Sequence, residues 1–127
     1  SDKSCVEAKE KFGLDFLVGV TCSNSYNLYK IAKNDGANYI AFGPAFESKS
    51  KEKEKIDLLQ FSKIKKKIKL PFVFIGGINH NNIESLKCFK PNYIAIIDSL
   101  WNFKSGPIES ALKFRESLEA LWKSLLI

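Results

Sequence analysis

The sequence of 127 residues contains no methionine, only three cysteines and no long apolar run. Without a methionine, Ser1 is not expected to be the native translational start. The cysteines are odd in number and form no CxxC pair, which predicts free thiols in a reducing cytosol rather than a disulfide framework or a zinc site. Because no apolar run approaches the roughly 20 residues that span a bilayer, we expect a cytoplasmic protein without a membrane segment.

Acidic residues are fewer than basic ones, 14 against 20, which gives a formal net charge of +6. Much of the lysine excess lies between residues 49 and 69. Basic proteins commonly bind nucleic acid or phosphate-bearing small molecules. Aromatic residues do not alternate with lysine in this stretch, as a groove that stacks bases would require. The lysines are therefore interpreted as solvated helix and loop positions, and nucleic acid is not the expected partner.

Four short apolar runs are rich in β-branched and aromatic residues. They cover residues 16–21, 39–43, 72–76 and 93–97. None of them alternates polar with apolar residues. Near-continuous apolar runs are typical of strands buried on both faces, as in a parallel sheet covered by helices.

Helical spacing occurs before, between and after these runs. The predicted helices cover residues 3–12, 24–34, 57–69, 81–89 and a last segment that begins at Pro107. Ser25, with Asn24 before it, and Asp57 are candidate N-caps. In the second helix the spacing places Leu28, Ile31 and Ala32 on one apolar face. The apolar positions of the last helix include Ile108, Ala111, Leu112 and Leu118.

The order of one helix followed by four strand–helix units predicts a parallel sheet in a single α/β domain over residues 1–127. Two architectures fit this order. One is an open doubly wound sheet. The other is a four-stranded parallel half of a (β/α)8 TIM barrel, which in full takes about 250 residues.

Polar or glycine-bearing segments follow all four strands, at the carboxyl ends where parallel barrels carry their functional residues. Behind the second strand, Ser48, Ser50 and Lys51 offer two hydroxyls and an ammonium group that suit a phosphate. Behind the third, Gly76 and Gly77 let backbone N–H groups approach an anion without a Cβ in the way. Taken alone, each segment favours a plainer interpretation, a polar surface loop and an ordinary tight turn.

In order along the chain, these segments resemble the motifs of one family, the thiamine phosphate synthases. Residues 36–46 and 48–51 resemble its GADY…GPvf-T-x-T-K signature, and residues 75–78 with Asn82 resemble its IGGI…N segment. Residues 19–21 resemble its G-V-S, and Ser1 with Asp2 resembles the end of its GQ-[ES]-D motif. The resemblance runs from residue 1 to about residue 103.

The resemblance implies a TIM-barrel enzyme that joins hydroxymethylpyrimidine diphosphate to thiazole phosphate and releases diphosphate with Mg²⁺. It gives the catalytic positions, beside the departing diphosphate, to Lys51 and Thr21. It makes Asp2 a ligand of Mg²⁺. The positions implied to hold the thiazole phosphate are Ser48, Lys49, Ser50, Gly77, Ile97 and Asp98.

Departures from the family pattern qualify what the resemblance implies. Asp98 stands where the family has Ser, and a carboxylate about 4 Å from a phosphate costs on the order of 1–4 kcal/mol. Ser23 stands at or beside the catalytic His of the related thiazole tautomerases, which argues against that activity. The family's pyrimidine site and second Mg²⁺ ligand lie on strands that would precede residue 1. We therefore expect the C-terminal half of a barrel, incomplete as an enzyme and retaining mainly the phosphate subsite.

A half-barrel leaves strand edges and one sheet face open, so a second copy of the chain or an upstream half-barrel is an expected partner. The other expected partner is a phosphorylated small-molecule substrate. Two further functions stay open: a non-catalytic protein that binds a phosphorylated small molecule, and a basic interaction module. His80, the only histidine, is expected on the surface at a helix start rather than in catalysis.

Overall fold

The computed structural model describes residues 4–47 and 55–125, with side-chain surroundings up to Glu119. In chain order its α-helices and strands are α1 Cys5–Phe12, β1 Gly19–Thr21, α2 Tyr26–Asn34, β2 Tyr39–Phe42, α3 Leu58–Ile64, β3 Phe72–Phe74, β4 Tyr93–Ile94, α4 Asp98–Trp101 and α5 Pro107–Leu125. Two 3₁₀ helices, Lys65–Lys67 and Ile83–Phe89, lie before and after β3. Within these residues, no helix combines the length and the apolarity needed to cross a bilayer.

The four strands form one parallel sheet in which each strand pairs with the next along the chain, in the order β1-β2-β3-β4. Ile40 lies opposite Val20 on one side and Phe72 on the other. In a doubly wound sheet the strand order reverses at a switch point, whereas in a barrel every new strand is added on the same side. The sheet therefore has the TIM-barrel arrangement, and the doubly wound alternative is excluded.

The core lies between one face of this sheet and the helices. Phe61 of α3 is fully buried and makes edge contacts with rings of the sheet and of the second 3₁₀ helix. Its ring centroid lies 4.9 Å from that of Phe42, 5.1 Å from that of Phe74 and 5.2 Å from that of Phe89. Each such pair adds about 0.5–1.5 kcal/mol beyond the burial of its area. This aromatic cluster joins β2, β3 and two helical segments.

The other face of the sheet is open at its two edges, and here the prediction of strands buried on both faces is wrong. Thr21 on β1 is exposed, and Tyr93 on β4 is 67 % exposed. Side chains on a strand alternate between faces, so Tyr39 lies on this side too and is 39 % exposed. We call these three residues the uncovered face. β1 and β4 each pair with one strand, and the described helices pack on the opposite side of the sheet.

Helix α2 begins where it was predicted, but of the three residues predicted on one face only Ala32 is buried. Ser25 is the N-cap, and its Oγ accepts a hydrogen bond from the Leu28 N–H at 3.1 Å, which confirms that prediction. The buried residues are Tyr29 and Ala32, while Leu28 and Ile31 are 45 % and 65 % exposed. Tyr29 turns inward because its hydroxyl accepts a hydrogen bond from the Lys69 N–H at 2.9 Å, ahead of β3.

The helix predicted over residues 57–69 is shorter. Asp57 caps α3 as predicted, since its Oδ1 accepts from the Leu59 N–H at 2.9 Å. The α-helix ends at Ile64, one 3₁₀ turn follows, and Ile68 is extended. Proline disfavours helical backbone in the residue before it, so the chain must be extended before it reaches Pro71.

Residues 81–89 and the last helix also differ from expectation. The first is a 3₁₀ helix rather than an α-helix, and ahead of it the side chains of Asn79 and Asn82 each accept a hydrogen bond from the N–H of the other. The last helix begins at Pro107 as predicted, and a short helix that was not predicted, α4, precedes it. In the part of α5 up to Glu119, the buried residues are Ser110 and Phe114. Two of its predicted apolar positions are exposed, Ile108 and Leu112, 75 % and 48 % respectively.

Candidate functional site

The loop after β2 and the glycine turn after β3 lie against each other at the carboxyl edge of the sheet. The Ala45 N–H donates a hydrogen bond to the Ile75 carbonyl at 2.8 Å, and the Phe46 N–H donates to the Gly76 carbonyl at 3.1 Å. This pairing brings the loop to the glycine turn as far as Glu47. The next residue along the chain begins residues 48–51, which we call the Ser/Lys segment.

Both glycines of the turn are required by backbone geometry. Gly76 and Gly77 have φ values of 90° and 68°, in the region that favours glycine. A Cβ on Gly77 would lie 2.6 Å from the Phe46 carbonyl oxygen and 2.7 Å from that of Glu47. A Cβ on Gly76 would lie 2.6 Å from the Pro44 Cα. The loop backbone therefore passes directly over the turn, in space that only glycine leaves free.

Asn82 holds the glycine turn in one shape. Its Nδ2 donates to the Gly77 carbonyl at 2.9 Å, and its Oδ1 accepts from the Asn79 N–H at 2.8 Å. These bonds cross the turn from both directions and fix the orientation of the Gly77 peptide group. They give a structural reason for an Asn at this place in the motif.

The segment after β4 lies beside the same turn. Ser99 Oγ donates to the Ile78 carbonyl at 2.9 Å. Ile97 is the N-cap residue of α4, and Asp98 is its first residue. The Asp98 carboxylate is exposed and accepts a hydrogen bond from Asn102 Nδ2, one helical turn further on, at 2.6 Å. The two backbone positions that the resemblance assigns to phosphate therefore lie next to the glycine turn in the chain's fold.

Thr21 lies at the same edge, on the far side of β2. It is exposed and pairs with Ala41, and the Gly43 N–H donates to the Ser23 carbonyl at 3.3 Å. Cys22, beside it, is buried, and burial raises the pKa of its thiol to about 11. This thiol is therefore protonated at neutral pH and is not a nucleophile. Hydrogen bonds thus join the segments after all four strands in one row.

Several predicted site residues lie outside the described residues. They are Asp2, Ser48, Lys49, Ser50 and Lys51. Among the residues that the structure does describe, no group of three His, Cys, Asp or Glu side chains is placed to hold a metal ion. The described carboxylates therefore do not by themselves form the Mg²⁺ site that the resemblance implies.

His80 is not the surface residue that was expected. Its ring stacks on that of Phe114 with centroids 3.8 Å apart and meets that of Phe103 edge-on at 4.8 Å. Its Nε2 lies 2.9 Å from the Oγ of Ser110. Burial, together with the positive charge of Lys113, lowers the pKa of His80 below its usual 6.5. The sequence carries one signal for this contact, a serine four residues before Phe114 on the same face of a helix.

Consecutive parallel neighbours, with their turns gathered at the carboxyl edge, define the chain as a (βα)4 part of a TIM-barrel-type α/β protein. Residues 1–100 match the family described as thiamine monophosphate synthase. The chain belongs to this family.

Individual relatives agree with this assignment. A thiamine-phosphate synthase of Pelagibacter ubique is 44 % identical over 101 residues, which cover 78 % of this chain and 49 % of the relative. One of Hyphomonas neptunium is 32 % identical over 120 residues, which cover 90 % of this chain and 52 % of the relative. The chain thus spans about half the length of these curated relatives.

A solved structure shows the same fold. The thiamine phosphate pyrophosphorylase from Pyrococcus furiosus superimposes with a TM-score of 0.78 at 22 % identity. The match covers 94 % of this chain and 57 % of the other. The half-barrel therefore corresponds to a little over half of that structure.

Proposed function

We propose that this chain supplies the thiazole-phosphate and diphosphate side of a thiamine phosphate synthase site. The reaction joins hydroxymethylpyrimidine diphosphate to thiazole phosphate and releases diphosphate. The observation that carries the proposal is the contact of residues 45–47 with Gly76 and Gly77 at the carboxyl edge, in a chain of this family. That contact reaches Glu47, and the Ser/Lys segment begins at the next residue of the chain.

In this proposal the two segments share one anion. Ser48 and Ser50 supply hydroxyl donors to the thiazole phosphate, with Lys49 between them, and Gly77 supplies a backbone N–H. Lys51 neutralises the charge that develops on the departing diphosphate. Donors placed where charge develops lower the barrier most when they need no rearrangement. The hydrogen bonds of Asn82 and the steric fit of both glycines support such a preformed turn.

Ile97 and Asp98 complete the proposed phosphate subsite from the β4 side, through their backbone N–H groups. The Asp98 side chain bonds to Asn102 within its own helix. Thr21 approaches the diphosphate from the β1 side, since it is exposed at the same edge. The four carboxyl ends would thus enclose the ligand from successive strands, as barrel sites do.

Complete activity requires a second (βα)4 unit in this proposal. The uncovered face exposes Tyr39 and Tyr93, which in a closed barrel would line the interior. The second unit, either an upstream half of the same protein or another copy of this chain, covers that face and brings the pyrimidine subsite. Mg²⁺ belongs to the same proposal: Asp2 would provide one carboxylate oxygen and the second unit the others, and the ion would neutralise diphosphate charge.

The test is a chimera in which this chain follows the N-terminal half of the Pelagibacter ubique relative, the natural choice at 44 % identity. It is assayed for thiamine phosphate with both substrates and Mg²⁺. We expect turnover that Lys51→Ala lowers by about a hundredfold or more, the usual cost of removing one transition-state donor. Lys55→Ala, an exposed lysine four residues on, is the matched control and should leave turnover unchanged.

A folded chimera without turnover would contradict the synthase function. Equal turnover of the Lys51→Ala and Lys55→Ala variants would remove Lys51 from the mechanism. Turnover that persists in the presence of a chelator would contradict the role of Mg²⁺.

A non-catalytic phosphate binder is the second candidate, and the exposed Asp98 carboxylate favours it. A carboxylate at the subsite selects for ligands of lower negative charge. Binding of thiazole phosphate by the folded chimera without product formation would identify this function. Asp98→Ser, which restores the family residue, should then tighten binding.

A further inference from the structure

Four residues close a ring of hydrogen bonds between the glycine turn, α4 and α5. Ser99 Oγ donates to the Ile78 carbonyl at 2.9 Å, and Ser110 Oγ donates to the Ser99 carbonyl at 2.6 Å. Ser110 Oγ also lies 2.9 Å from the Nε2 of His80, two residues after Ile78. We call these four residues the serine–histidine ring. It connects the segment after β3 to the segment after β4.

The ring determines the tautomer of His80. A serine hydroxyl has one proton, and that of Ser110 is used in the bond to the Ser99 carbonyl. The Ser110 oxygen must therefore accept a hydrogen bond from the imidazole, so Nε2 carries the proton and Nδ1 is unprotonated. Nδ1 is buried and has no hydrogen-bond partner among the described residues. A second proton there would have no acceptor, which keeps the imidazole neutral.

The surroundings hold the ring in place. Ser110 is 0 % exposed, and Phe114, stacked on the imidazole, is 4 % exposed. A buried hydrogen bond holds its two partners in one arrangement, because breaking it leaves desolvated polar groups behind. Ser99 and Ile78 therefore keep one relative position.

We propose that His80 is a positioning residue that, as the neutral Nε2–H tautomer, joins the glycine turn to the segment after β4, so that one phosphate meets both in a fixed geometry. The inference rests on the proposed function for the identity of the anion. His80 itself touches no substrate. It acts through Ser110 and Ser99 on the backbone groups of Gly77 and Asp98.

The first experiment determines which nitrogen of His80 is protonated in the absence of any ligand. In the ¹⁵N-labelled chain His80 is the only imidazole, so its two nitrogens are assigned unambiguously by NMR. We expect a protonated Nε2 and a bare Nδ1 at pH 7. The opposite tautomer, or averaging of both nitrogens, would overturn the inference whatever the chain binds.

The second experiment titrates inorganic phosphate and follows the amide signals of Gly77 and Ser99. In the chain without substitutions, both amide signals should shift with the same dissociation constant for phosphate. His80→Phe keeps an aromatic side chain stacked on Phe114 but removes the N–H donor. It should weaken phosphate binding about tenfold, equivalent to about 1.4 kcal/mol, and separate the two curves.

Three further variants guard against a general loss of folding. Ser110→Ala breaks the ring while keeping His80 and should reproduce the weakening. Ser117→Ala, also on α5, removes a hydroxyl that bonds to the Lys113 carbonyl in its own helix, and should have no effect. His80→Gln, which retains an amide donor, should recover part of the affinity.

The outcomes separate the two proposals. Equal phosphate affinity in the unchanged chain and in both ring variants would overturn the positioning role and leave the proposed function standing. Absence of phosphate binding in the unchanged chain, with the expected tautomer present, would count against the phosphate subsite and thereby overturn the role given to His80.

Discussion

At the scale of single residues, glycine is the most informative type in this chain. Gly77 and Gly36 both have positive φ values, 68° and 95°. A Cβ on Gly36 would meet nothing within 4 Å, whereas one on Gly77 would collide with two backbone carbonyls. A substitution at Gly36 therefore tests backbone strain alone, whereas one at Gly77 tests backbone strain together with a steric clash.

We predict that Gly36→Ala costs only the strain of a left-handed residue, about 1–3 kcal/mol of unfolding free energy. Gly77→Ala should cost more, because the loop after β2 must also move away. Urea unfolding of both variants measures the difference. Equal losses would mean that the loop yields freely and that its contact with the turn is loose.

His80 makes stability depend on pH. Its folded pKa is lowered, so the unfolded chain binds this proton first as pH falls. The contribution is fully present above about 6.5, the ordinary histidine pKa, and is lost as pH falls from there toward the folded value. We predict that the unchanged chain loses more unfolding free energy than His80→Phe between pH 7.5 and pH 5. Parallel pH profiles for the two proteins would contradict the burial of a neutral imidazole.

At the scale of elements, α3 shows how one residue anchors a helix. Phe61 is 0 % exposed and contacts rings on β2, β3 and the second 3₁₀ helix, while Leu59, two residues earlier, is 72 % exposed. We predict that Phe61→Ala costs about 3–5 kcal/mol. Leu59→Ala should change stability by no more than about 0.5 kcal/mol. Thermal and urea unfolding compare the two, and similar losses would show that α3 packs by a different face.

The elements also show where local sequence patterns stop being sufficient. The N-caps at Ser25 and Asp57 were predicted correctly, because a cap is a contact between residues two or three apart. For the apolar face of α2 the prediction was correct for Ala32 and wrong for Leu28 and Ile31. Tyr29 turns inward for a hydrogen bond to Lys69, and nothing within α2 reveals a partner 40 residues away.

At the scale of the whole molecule, the uncovered face decides behaviour in solution. Exposed aromatic and apolar side chains on a sheet face that helices do not cover favour association. We predict that the chain alone forms dimers or larger assemblies as its concentration rises, as measured by sedimentation. Tyr93→Glu should shift the equilibrium toward monomer.

Leu59→Glu is the matched control, because Leu59 is as exposed as Tyr93, 72 % against 67 %, but lies on a helix. It should leave association unchanged. A monomer at all concentrations would show that the uncovered face is stable in water and would remove the second copy as a partner.

The sequence by itself determined the strand–helix order, the caps, the glycine turn and the family, because these depend on residues close together in the chain or on motifs read in order. Tertiary structure alone decided the rest. Strand order chose a barrel over a doubly wound sheet, and the absence of a described layer over β1 and β4 left one face open. The serine–histidine ring was equally out of reach. His80 and Ser110 are 30 residues apart, and only packing brings a hydroxyl to an imidazole across that distance.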